Sequence, residues 1–134
     1  PLYSSAASDV YKRQVNKQAA KNERTISCLL QIHIAEEATK FGLSPEECKE
    51  VVIQAEALEN ITIKGLMGMA TFTDNISQIE REFKSLKELF EDLKFDNKNF
   101  DILSMGMSGD YEIAIKEGSN MIRVGSKIFG ERNY

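Results

Sequence analysis

The chain has no excess of positive charge, no long apolar run and almost no histidine. Seventeen Lys and Arg residues against 21 Asp and Glu give a formal net charge of −4. No basic field is therefore present to attract nucleic acid or an anionic membrane. No stretch approaches the roughly 18 apolar residues of a membrane-spanning helix, and no leader pattern is evident. The two cysteines, Cys28 and Cys48, have neither zinc-site nor CxxC spacing. They read as buried, unpaired thiols in a reducing compartment, Cys28 on a strand and Cys48 on a helix face. His33 is the only histidine. A lone histidine on a strand reads as a satisfied core or rim residue rather than a base or ligand. No carboxylates cluster at ligand spacing, so no metal site is expected. No motif supports a serine hydrolase. The expectation is a cytoplasmic protein with neither nucleic acid nor membrane as partner.

What is present is a repeating strand–helix pattern. The length of 134 residues suits one domain, and 42% hydrophobic residues suffice for a packed core. Residues 1–14 have no clear period and many small polar residues, and read as a segment foreign to the rest of the chain. Residues 15–23 read as the last turns of a surface helix. Apolar stretches at 26–34, 61–69, 100–105 and 121–125 read as buried strands. Ser44-Pro45-Glu46-Glu47 is a strong helix start. Behind it, Cys48, Val51, Val52, Ala55 and Leu58 form one apolar stripe. A longer helix at 75–94 carries the stripe Ile76, Ile79, Phe83, Leu86, Leu89, Phe90 and Leu93. Its charged residues read as a solvated face, with Glu80 and Lys84 paired four apart. A short helix at 110–117 stops at Gly118. Mostly apolar strands alternating with helices imply a parallel sheet covered by helices.

The densest punctuation is Ser104-Met105-Gly106-Met107-Ser108-Gly109-Asp110. A strand ends there, the chain turns and a helix begins, with Ser108 as the expected N-cap. Such a junction offers backbone N–H groups and a hydroxyl to an anion. Met121-Ile122-Arg123-Val124-Gly125-Ser126 repeats the idea, leading into about one turn of helix at 127–130. Met105 and Met107 read as wall and core. Met67-Gly68-Met69-Ala70 closes the second strand; it lacks the basic surroundings of an RNA-binding GxxG loop.

Leu-Ser-Met-Gly-Met-Ser-Gly-Asp at 103–110, Ala-Ile-Lys-Glu-Gly-Ser at 114–119 and Ile-Arg-Val-Gly-Ser-Lys-Ile-Phe-Gly-Glu-Arg at 122–132 resemble the C-terminal end of the pyridoxal phosphate homeostasis protein family. That family is related in fold to the barrel domain of alanine racemase. The resemblance covers residues 15–134. It implies the C-terminal half of a pyridoxal phosphate-binding (βα)8 barrel, four parallel strands with outer helices, since a full barrel takes about 250 residues. The first and last strands would then expose edges that a missing half should cover. The resemblance also implies the roles of individual residues. Ser108 matches the phosphate-binding serine. Gly125 and Ser126 match the N–H and hydroxyl donors after the last strand. Arg123 matches the residue facing the pyridine nitrogen, and Lys40 a lysine near the cofactor mouth. The family's Schiff-base lysine lies on the first barrel strand, upstream of Val15, so covalent attachment is not expected here.

The expected function is pyridoxal 5′-phosphate binding in intracellular vitamin B6 homeostasis, with no catalytic turnover. The full-length form of such a protein is expected to be monomeric. Two alternatives stay open: a racemase-like enzyme using the same cofactor, or another phosphate-binding βα-barrel enzyme.

Overall fold

A computed structural model of the chain describes residues 5–37 and 41–132. Among the described residues five helices, α1 (Ser5–Lys21), α2 (Pro45–Ala55), α3 (Ile76–Asp96), α4 (Tyr111–Lys116) and α5 (Ser126–Phe129), alternate with four strands. The strands are β1 (Ile26–Ile32), β2 (Ile61–Gly68), β3 (Ile102–Met107) and β4 (Met121–Arg123). They form one sheet in sequence order, every neighbouring pair parallel. This is the expected partial barrel. α1 runs across residue 14, so the helix starts well before the 15–23 turns read from the sequence.

The register sorts the two faces of the sheet. Leu30, Leu66 and Leu103 lie side by side across β1, β2 and β3. Ile32, Gly68 and Met105 form the row two residues on, on the same face. The three leucines, Ile32 and Met105 pack into the core under α2 and α3. The intervening row, Gln31, Met67, Ser104 and Met121, faces the other way.

The helices form where their stripes and caps allow. Ser44 Oγ accepts from the Glu47 N–H, and a Glu47 carboxylate oxygen accepts from the Ser44 N–H, closing a capping box on α2. Cys48, Val51, Val52 and Ala55 are its buried face, as read from the sequence. Leu58 falls beyond the helix and is only half-buried. Asn75 caps α3 by accepting from the Gln78 N–H. The α3 stripe is buried from Ile79 to Leu93, whereas Ile76 is exposed. The charged face of α3 departs from expectation at two points. Glu82 is buried. Glu80 reaches Lys116 of α4 at 3.7 Å rather than Lys84.

Two irregularities shape the sheet. β2 carries one extra residue, Lys64, opposite the Cys28–Leu29 step of β1. The next residue, Gly65, lies against β3 so closely that an added Cβ would sit 1.7 Å from the Ile102 carbonyl oxygen. The second irregularity is at β4, which is three residues long, shorter than the 121–125 strand read from the sequence. Side chains before it complete the β3 edge. Asn120 Oδ1 accepts from the Leu103 N–H at 2.8 Å. Asn120 Nδ2 donates to the Asp101 carbonyl at 2.7 Å. Ser119 Oγ lies 2.7 Å from the Met105 carbonyl oxygen and 2.8 Å from that of Met121.

Both cysteines are free. Cys48 is fully buried, and burial pushes its thiol up to about 12 against a lesser lowering by Lys49. Cys28 is half-buried and shifted in the same direction, also by burial. Thiolates react and thiols do not. At pH 8, Cys28 will therefore react with a disulfide reagent first, and Cys48 only after denaturant is added. Equal rates for both would contradict the buried position of Cys48. Between about pH 9 and 12 the unfolded chain loses a Cys48 proton that the folded chain keeps. Stability thus falls as pH rises through that window.

Candidate functional site

The loops at the C-terminal ends of β2, β3 and β4 surround one cleft of about 740 Å³. That volume suits a small cofactor. Ser108, Arg123, Gly125 and Ser126 all line it. Four of the five residues proposed from the sequence thus come together. The fifth, Lys40, lies outside the described residues.

Ser108 does more than the sequence suggests, and in a different place. The N-cap of α4 is Asp110, not Ser108. Asp110 itself turns back, and its Oδ1 accepts from the Met107 N–H at 2.8 Å. Ser108 Oγ instead crosses to the next loop and accepts from the N–H groups of Gly125 and Lys127, each at 3.2 Å. It therefore caps α5 from outside that helix. A hydroxyl has two lone pairs and one hydrogen. Both lone pairs are taken by N–H donors, which leaves the hydrogen free to donate. Those two N–H groups polarise the hydroxyl and strengthen it as a donor. The Gly125 N–H, expected as a phosphate donor, donates to Ser108 Oγ in this structure. The Ser126 hydroxyl and the Ser108 O–H are further donors on this side.

Gly125 matters through its missing side chain. A Cβ built there, or on Gly109, meets nothing within 4 Å. Both positions border open space that a bound group could enter. Gly106 has the opposite reason for being glycine. Its φ is +104°, and a Cβ would meet the Ala114 methyl at 2.7 Å, so it lets α4 lie against β3.

Arg123 is paired in register with Met107 across β3 and β4. Its Nη2 lies 3.9 Å from the Met107 sulfur, a weak contact. Among the described residues no carboxylate is in ion-pair range of Arg123. The guanidinium is exposed and permanently charged. The wall supplies Arg123 and Arg132 against Asp74 and Asp110, so the lining is close to neutral. Met107 lines the cleft while Met105 is buried in the core. Apolar cover comes from Phe72 and Phe129, 92% and 85% exposed. Neither stands out by composition or periodicity. His33 is exposed just beyond β1, its N–H donating to the Leu43 carbonyl. No group of three or more metal-ligating side chains occurs among the described residues.

The opposite wall, 70–74, succeeds β2. Two of its N–H groups are already used. Thr71 donates to Glu82 at 2.6 Å and Phe72 to Glu37 at 3.1 Å. Those two N–H groups are therefore not available to an anion in the cleft.

Residues 6–133 match the family model described as the alanine racemase N-terminal domain. A curated relative, the pyridoxal phosphate homeostasis protein of Haemophilus influenzae, is 42% identical over 123 residues. The match covers 90% of this chain and 52% of that protein. PipY of Synechococcus elongatus, solved with pyridoxal phosphate bound, superposes with a TM-score of 0.78 at 25% identity. It is matched over 96% of this chain and 58% of its own. Alanine racemase of Clostridium difficile superposes with a TM-score of 0.70 at 17% identity, over 98% of this chain and 35% of its own; that likeness is one of fold. The chain spans about half the length of the curated relatives it matches. Four parallel strands in order, helices outside them and a family model matched over nearly every residue lead to one conclusion: the chain belongs to the alanine racemase N-terminal domain family.

Proposed function

We propose that the chain binds pyridoxal 5′-phosphate reversibly in this cleft and serves the intracellular handling of that cofactor without catalytic turnover. The observation that carries the reading is the meeting of Ser108, Arg123, Gly125 and Ser126 in one cleft. The curated relatives are named pyridoxal phosphate homeostasis proteins, and PipY holds the cofactor. The residues fit the group. Gly125 leaves open space, the Ser108 and Ser126 hydroxyls suit phosphate oxygens, and Arg123 has no carboxylate partner among the described residues.

When bound, the cofactor supplies an electron-poor ring bearing an aldehyde. Ser108 donates its remaining hydrogen to a phosphate oxygen and passes on the polarisation of the α5 N–H groups. Ser126 supplies a second donor. Arg123 has only donors to offer, so it pairs with a ring nitrogen that carries no proton. An unprotonated ring accepts electrons poorly, which suits a carrier better than a transaminase-like catalyst. A racemase-like enzyme is the runner-up, since the same arginine and unprotonated ring would suit a racemase as well as a carrier, and the fold is shared with alanine racemase.

Among the described residues lining the cleft there is no lysine. On this reading the chain holds the cofactor by non-covalent contacts. Borohydride reduction of the chain with the cofactor, then mass spectrometry, tests this. The expected result is no stoichiometric pyridoxyl adduct. A stoichiometric adduct on one lysine, Lys40 in particular, would contradict it.

A further inference from the structure

Glu82 sits in a helix whose sequence promises a solvated charged face, yet it is 8% exposed. Burying a carboxylate is costly unless it is well paired or well hydrogen-bonded. Glu82 has no cation within ion-pair range among the described residues. It is satisfied by three hydrogen bonds instead. Its Oε1 accepts from the Thr71 N–H at 2.6 Å, and its Oε2 from the Thr71 hydroxyl at 2.8 Å and from Gln78 Nε2 at 3.0 Å. Two of the three come from Thr71, three residues beyond the end of β2 and within the cleft wall. The Thr71 hydroxyl also accepts from the Glu36 N–H at 2.8 Å. The next residue is held from the other side, with the Phe72 N–H donating to Glu37. Carboxylates from two different segments thus clasp consecutive backbone N–H groups of one loop.

We propose that Glu82 is a positioning residue: it latches the wall at 70–74 onto α3 and so sets the shape of the cleft opposite Ser108 and Arg123. It acts through Thr71 and need not touch the ligand. Three hydrogen bonds to one carboxylate are stronger than neutral ones. They fix a loop that carries the exposed Phe72 side chain. They also engage the Thr71 N–H and hydroxyl, two donors that a loose loop could otherwise turn toward the cleft. The ligand consequence rests on the pyridoxal phosphate reading; the latch does not.

The test uses the full chain with Glu82→Gln, Thr71→Val, the double variant, and Glu88→Gln as a control on the exposed face of α3. Amide exchange is read without ligand, and pyridoxal phosphate affinity separately, well below any melting transition. In Glu82→Gln the amides of Thr71 and Phe72 should exchange at least tenfold faster, while those of Leu66 and Leu103 stay as in the parent. The dissociation constant should rise about tenfold. The double variant should be no weaker than the worse single, because both break the same contact. Glu88→Gln should change neither readout. If Glu82→Gln fails to fold, Thr71→Val carries the same test, since it removes one hydroxyl and keeps the N–H. Unchanged exchange at Thr71 and Phe72 would overturn the latch. So would an unchanged dissociation constant in a protein where Arg123→Ala still weakens binding. If the parent chain binds no pyridoxal phosphate, the ligand reading fails and the exchange result alone decides the latch.

Discussion

Gly65→Ala will remove about 3 kcal/mol or more of stability, a large share of the 5–15 kcal/mol typical of a domain. The Cβ of alanine would lie 1.7 Å from the Ile102 carbonyl oxygen and 2.7 Å from its carbon. These are backbone atoms inside the β2–β3 pairing, so no side chain can swing aside. The strands must part, and Leu66 and Leu103, both fully buried, part with them. Gly68 offers an informative contrast. A Cβ there meets the Leu86 and Ile34 side chains, which can shift. Gly68→Ala should therefore cost much less. Urea unfolding monitored by circular dichroism compares the two. Equal midpoints for parent and Gly65→Ala would refute the close approach of β2 and β3.

Arg123→Ala will weaken pyridoxal phosphate binding about tenfold, and Arg123→Glu will abolish it. A hydrogen bond to a charged group contributes roughly 1.5–3 kcal/mol when buried. Arg123 is exposed, which places it at the lower end. Arg123→Lys should recover part of the loss, because a lysine supplies charge without the planar fork. The fold should be indifferent, since the only hydrogen bond of the guanidinium among the described residues is the long one to Met107. Dissociation constants by calorimetry, with melting curves as the control, decide this. Affinity that survives Arg123→Glu would remove Arg123 from the site.

Much of this architecture is legible in the chain because its signals are local. The capping box at Ser44 and Glu47 and the stripes of α2 and α3 repeat at fixed spacing. The four parallel strands are implied by their alternation with helices. The four cleft residues were legible through a contiguous motif at each of two strand ends, and the register brings those ends together. What was not legible depends on contacts between distant residues. Ser108 looks like a local cap and is one, but for a helix 18 residues further on. Glu82 looks like any charge on an amphipathic helix until Thr71 arrives beside it from β2. Gly65 sits in a strand without turn chemistry, and only the β3 backbone explains it. Ser119 and Asn120 carry no sequence signal for their place, and they finish a sheet edge.

The central claim is that the loops after β3 and β4 hold a cofactor by its phosphate. Parallel titrations with pyridoxal 5′-phosphate and with pyridoxal, which shares the ring and aldehyde but lacks the phosphate, test it most directly. The expected result is saturable binding of the phosphate ester, competition by inorganic phosphate, and at least tenfold weaker binding of pyridoxal. Equal affinity for the two compounds, or no saturable binding of the phosphate ester, would contradict it.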